Sequence, residues 1–215
     1  MEQFNQKIIF YRVLGDYDVM SKSPIRTLAD FKGKKLAAIG DYHPKIVAAV
    51  GGVPVAMPVA ERYQALQTGV VEGSVLPFDL SANTRFHEVV KYGTEVGLGT
   101  AFSTAVTVNR DVWNRLPPDI QDIMLQAGVE AGRKLAQETD SLIEKALQDM
   151  KAAGVTIIDL PADERAKWSA MLPDYPAEWA RDMNAKGQPG TRVMEAFLSI
   201  TEKAGFKHAR KWGTK

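Results

Sequence analysis

Val59-Ala-Glu-Arg-Tyr-Gln-Ala-Leu-Gln-Thr-Gly-Val-Val-Glu-Gly-Ser-Val-Leu-Pro77 decides how the rest of the chain is read. Val59, Tyr63 and Leu66 fall at i, i+4 and i+7, which predicts an amphipathic helix with one buried stripe. Gly69 follows the last periodic residue, where a left-handed helix end favours a residue without Cβ. Gly73 then opens a short apolar run, Ser74-Val75-Leu76, which Pro77 closes. The stretch reads as helix, tight turn and buried strand.

Working outward, the same alternation recurs. Lys35-Leu-Ala-Ala-Ile39 and Val53-Pro-Val-Ala-Met57 are strand candidates, separated by a helix near Pro44 to Val50 that Gly51-Gly52 ends. Strands joined by single helices predict a parallel sheet with right-handed crossovers. In such sheets small ligands bind past the carboxyl ends of the strands, where helix N-termini offer free N–H groups. That rule selects the loops Gly40 to His43 and Pro77 to Asp79. Upstream, Lys7 to Leu14 reads as a strand, Gly15 to Asp18 as a turn, and Thr27 to Asp30 as a capped short helix that Gly33 stops. Downstream, Phe86 to Tyr92 reads as a surface return and Ala101 to Val108 as a strand. Asn109 is placed to cap a short helix with Trp113 and Leu116 on its buried edge. A long helical stripe runs from Pro118 to Ala153, in which Gly128 and Gly132 mark close packing or a bend. A short strand near Gly154 to Asp159 follows, then a helix from Pro161 carrying Trp168 and Trp179, one from Thr191 to Ala204, and a solvated basic tail, Lys207 to Lys215.

Composition narrows the function classes. The 215 residues are 45% hydrophobic and 25% charged, as in an ordinary globular protein, with a formal net charge of +1. Such a balance gives no electrostatic reason to expect nucleic acid. The chain has no cysteine, which excludes disulfides and thiolate chemistry. His43, His87 and His208 are far apart, and no hydrolase, metalloprotease, phosphate-loop or dinucleotide motif occurs. The expectation is therefore no catalytic residue, no metal and no cofactor.

The wording of the opening stretch carries more than its periodicity. Glu61-x-Tyr63-x-Ala65-Leu66-Gln67-Thr68-Gly69-x-x-Glu72-Gly73 resembles the E-x-Y-x-A-L-Q-T-G-x-x-D/E-G signature of substrate-binding subunits of tripartite ATP-independent periplasmic (TRAP) transporters, the DctP-like family. Pro24 to Gly33 and Asn109 to Pro117 resemble two further phrases of that family. The resemblance implies a two-lobed α/β architecture of the type II periplasmic-binding-protein kind, a periplasmic location, an organic-acid ligand and membrane-embedded transporter subunits as partners. Within one solute-binding region spanning 1–215, it implies a second-lobe core over 35–105, a bracing helix over 118–153 and C-terminal strand and helices over 155–205. Family members carry a signal peptide and further β-α units ahead of the strand at Lys7, so the chain is expected to be the C-terminal portion of a longer protein. The rivals are a ligand-sensing module of the same fold in a regulator and an enzyme on this fold.

Two departures concern the ligand. The family has arginine where this chain has Ala37, and asparagine where it has Leu76. Both changes push toward an acid less polar than a C4-dicarboxylate, such as an aromatic acid stacked on Tyr17, Tyr42 or Phe78, with Arg12 or helix N-termini meeting a carboxylate. The candidate ligand residues are thus Tyr17, Ala37, Gly40, Asp41, Tyr42, Leu76, Pro77, Phe78 and Asp79. Removal of the Phe78 ring is expected to weaken binding at little cost in stability.

Overall fold

A computed structural model describes residues 4–12, 14–97, 99 and 104–213. A six-stranded sheet is built from β2 (Asp18–Ser21), β3 (Lys35–Ala38), β4 (Val53–Ala56), β5 (Gly73–Leu76), β6 (Tyr92–Glu95) and β8 (Thr156–Asp159), in the order β4-β3-β5-β2-β6-β8. A separate antiparallel ribbon pairs β1 (Gln6–Arg12) with β7 (Thr104–Asn109). Residues 101–103 of the expected strand lie outside the described residues.

The β3, β4 and β5 strands run parallel as expected. The sheet as a whole is mixed, because β2 lies antiparallel between β5 and β6. The sequence reading took Asp18 as the end of a turn and passed over this strand. All four β2 residues are buried, so it shows none of the polar alternation that betrays a half-exposed strand. Phe86 likewise departs from the surface return read there: it starts a 3-10 turn and is wholly buried, as is Val90.

The opening stretch folds as α2 (Val59–Thr68), turn and β5, with Gly69 at φ 82° as the left-handed cap. Its buried stripe is rotated from the expected one: Arg62, Ala65 and Leu66 face the core, while Val59 and Tyr63 are only half-buried. α1 (His43–Ala49) connects β3 to β4, and α3 (Phe78–Asn83) begins directly after Pro77, so the expected Pro77–Asp79 loop is a helix start.

Asn109 caps α4 (Arg110–Trp113), its Oδ1 accepting from the amides of Asp111 at 2.9 Å and Val112 at 3.2 Å. α5 (Pro118–Ala152) then packs on β1, α3 and β8 in turn. A Cβ on Gly128 would stand 2.7 Å from Ile9 Cγ2 and 2.9 Å from Ile9 O, so that glycine permits close approach of helix and ribbon.

The helix expected from Pro161 is two, α6 (Ala162–Met171) and α7 (Tyr175–Ala185), divided at Pro173, and α8 (Gly190–Lys203) follows. Trp168 anchors α6 to the body: its indole N–H donates to Ile46 O at 3.0 Å, and its ring meets Phe31 at 4.8 Å. The tail is less solvated than its composition suggests, because Arg210 donates to Ser169 O and Leu172 O at the end of α6. Among the described residues no helix is long and apolar enough to cross a membrane.

Candidate functional site

One end of the sheet gathers the chemistry. The strands β3, β4, β5, β6 and β8 all finish there and β2 begins there, as the pairings Asp18↔Leu76 and Glu95↔Asp159 require. The connections between sheet and ribbon leave from the same end, just before Asp18 and just after Glu95. All nine residues selected from the sequence lie at or beside this end, but they occupy two depths. Gly40 and Asp41 are exposed, and Tyr42 is half-buried, edge-on to Tyr175 with ring centroids 5.3 Å apart. Asp79 is half-buried, and its Oδ1 is enclosed without a hydrogen-bond partner. By contrast Tyr17, Ala37, Leu76 and Phe78 are 1%, 0%, 1% and 2% exposed and belong to the hydrophobic core, with Pro77 buried beside them. The expectation that Phe78 could be truncated at little cost is therefore corrected: its ring is part of the packing under the strand ends.

The β3–β5 half holds a group the sequence reading missed. Arg62, on the first turn of α2, is 0% exposed. Its Nε and Nη2 donate to Met57 O at 3.3 and 3.2 Å, and its Nη1 donates to Ser74 Oγ at 3.0 Å and Val75 O at 2.9 Å. Ser74 pairs in register with Ala37, so both side chains share a face of the sheet, and Leu76 follows two residues on along the same face. The guanidinium thus reaches the face of the sheet that Ser74 shares with Ala37.

No carboxylate among the described residues forms an ion pair with it; carbonyls and one hydroxyl supply its partners. Desolvation of an unpaired buried ion costs on the order of several kcal/mol. Burial holds the Arg62 pKa below the ordinary arginine value, an effect that Tyr17 partly counters. The Tyr17 phenol is pushed up by burial, drawn down by Arg62 and raised again by Asp79. His43 lies against Tyr17 with ring centroids 4.2 Å apart, and burial lowers its pKa to about 4. The signal for Arg62 was available: Arg62, Ala65, Leu66 and Gly69 sit at i, i+3, i+4 and i+7, which puts a cation on the buried stripe.

The β6–β8 half is acidic. A cavity of about 500 Å³ lies between the connecting segment, α5 and the ends of β6 and β8, lined by Asp16, Asp18, Glu95, Asp140 and Asp159 among others. Arg165, also on its wall, pairs with Asp159. Asp18 is 7% exposed, and its Oδ1 accepts from the amides of Val96 at 2.8 Å and Gly97 at 3.0 Å. Burial raises its pKa from 3.8 to about 7; the two amides oppose that rise, and Asp16 and Glu95 add to it. Its carboxylate therefore joins the start of β2 to the segment leaving β6, fastening the two connections together. Among the described residues no group of side chains is arranged to hold a metal ion.

An open α/β sheet whose strand ends and two crossing connections converge on one polar cleft defines a class, the periplasmic-binding-protein lobe. Comparison with known proteins is more specific. Residues 1–182 match the family model for bacterial extracellular solute-binding protein, family 7, and the chain belongs to that family. It is a family of transporter binding proteins, not of enzymes.

The chain is 35% identical over 179 residues to the C4-dicarboxylate-binding periplasmic protein DctP of Rhodobacter capsulatus, covering 79% of this chain and 52% of that protein. It is 32% identical over 204 residues to the 2,3-diketo-L-gulonate-binding periplasmic protein YiaO of Escherichia coli K12, covering 90% and 58%. Among solved structures, a TRAP periplasmic solute-binding protein from Desulfovibrio salexigens with bound orotic acid superposes with a TM-score of 0.80 at 30% identity, over 91% of this chain and 63% of that one. The ectoine-binding protein of Halomonas elongata shares the fold at a TM-score of 0.82, over 94% of this chain and 66% of that one, and 22% identity. The chain therefore spans little more than half the length of the relatives it matches.

Proposed function

We propose that this chain forms the sheet-bearing lobe of the solute-binding subunit of a TRAP transporter, which captures a small organic acid and hands it to membrane-embedded subunits. The observation that carries the reading is the family match across residues 1–182, joined to a sheet end where the starts of α1 and α3 and the exposed Gly40 and Asp41 come together. The β1–β7 ribbon and the first turns of α5 belong, on this reading, to the opposite lobe, with α5 bracing both. The ligand contacts fall on Gly40, Asp41, Tyr42 and Asp79 directly, while Tyr17, Ala37, Leu76, Pro77 and Phe78 shape the floor beneath them.

The ligand we infer is a monocarboxylic acid with a planar or otherwise weakly polar body. Ala37 and Leu76 supply no second polar clamp, and Ile39 and Leu80 bring exposed apolar surface to the loops that flank Tyr42 and Asp79. The bound orotic acid of one relative at 30% identity supports a planar acid as the ligand class. Thermal-shift screening of the full protein against organic acids tests both levels. Stabilisation by orotate or benzoate, exceeding that by succinate, is the expected result. Strong stabilisation by succinate alone would overturn the ligand class, and silence toward every acid would overturn the function.

A further inference from the structure

Arg62 is a buried cation whose hydrogen bonds all go to neutral groups, at the strand ends where a ligand is expected. A cation enclosed in this way retains an unneutralised charge that an anion brought to it would satisfy. The surroundings repeat the pattern of incomplete pairing. Oδ1 of Asp79 is enclosed without a hydrogen-bond partner, and the enclosed ring of His43 lies against the Ile39 backbone. The His43 ring lies against Tyr17, whose phenol feels the charges of both Arg62 and Asp79. Buried polar atoms are ordinarily paired, and an enclosed, unpartnered carboxylate oxygen at the same sheet end marks room for a polar guest. Tyr17 follows directly on the connection from the ribbon and precedes β2.

We propose that Arg62 is the carboxylate-recognising residue of this chain, reached when Tyr17 gives way, with His43 and Asp79 meeting polar atoms on the body of the same ligand. The guanidinium is delivered from α2 across the face formed by Ala37, Ser74 and Leu76, and its fork is held in place by Met57 O and Val75 O. This rests on the reading of the protein as an acid-binding subunit. A structural strut would make the same carbonyl contacts, so binding must decide between the two.

The test is calorimetry on the full protein with orotate, benzoate, L-fuconate and succinate, and with uracil as the orotate ring without its carboxylate. Wild type is expected to bind at least one acid, and uracil at least 100-fold more weakly than orotate where orotate is bound. Arg62→Met is expected to lose at least 100-fold in affinity for that acid. Arg62→Lys keeps the charge without the fork and is expected to lose about tenfold; it serves as the decisive variant if Arg62→Met does not fold. Wild-type-like affinity in either folded variant would overturn the anchor while leaving the acid-binding function standing. Failure of wild type to bind any acid would overturn both.

Discussion

The two halves of one sheet end carry opposite electrostatics. Around β3 and β5 a single buried guanidinium sits among neutral partners, whereas around β6 and β8 five carboxylates border a cavity. The acidic half holds a cavity of about 500 Å³, yet an anion brought there would meet five carboxyl groups and one cation, Arg165, which Asp159 already engages. The cationic half is closed in this conformation and offers the attraction. An open cavity and a favourable charge thus lie in different halves, and charge decides between them for an acid. The acidic half instead fastens the connections between sheet and ribbon, through Asp18.

Phe78→Ala should produce the largest change in stability, because the ring packs against Gly93 of β6 and walls the acidic cavity. Loss of a buried phenylalanine ring costs about 3–5 kcal/mol, to be read from denaturant unfolding. A cost under about 1 kcal/mol would show that the wall of the acidic cavity is loosely packed.

Asp18→Asn probes the acidic half with a smaller, pH-dependent effect. Burial raises the Asp18 pKa to about 7, so the fold favours its protonated form. The stability this contributes is fully present below the unfolded value of 3.8 and is lost as pH rises through 7. An asparagine keeps an acceptor for Val96 and Gly97 without the charge. The variant should therefore gain on wild type by roughly 2–3 kcal/mol between pH 5 and pH 8. Thermal midpoints of both proteins across that range check it; a difference that stays flat, or that shrinks as pH rises, would contradict the assignment.

Much of the fold was legible because its signals are local. The α2–Gly69–β5 unit, the Asn109 cap and the length of α5 follow from periodicity and turn chemistry within a dozen or so residues. β2 was not legible, since a four-residue strand buried on both faces offers neither alternation nor length. The split between α6 and α7 needed more weight on Pro173, where the residue before a proline leaves the helical region.

At the site, the strand-end rule brought the right loops together, but depth is a tertiary property. Nothing local distinguishes Tyr42 at the rim from Tyr17 in the floor. Arg62 lies outside the stripe read from Val59, Tyr63 and Leu66, so that reading does not single it out. Its spacing to Ala65, Leu66 and Gly69 does.

The comparison between the halves is tested most directly by amide chemical-shift mapping of the full protein titrated with the acid that binds best. The account predicts shifts concentrated at Ile39 to His43 and Phe78 to Leu80, together with the Arg62 side-chain Nε–H. Shifts confined to Glu95 to Gly97 and Asp159 to Arg165, with the Arg62 signal unmoved, would place the ligand in the acidic cavity and contradict it.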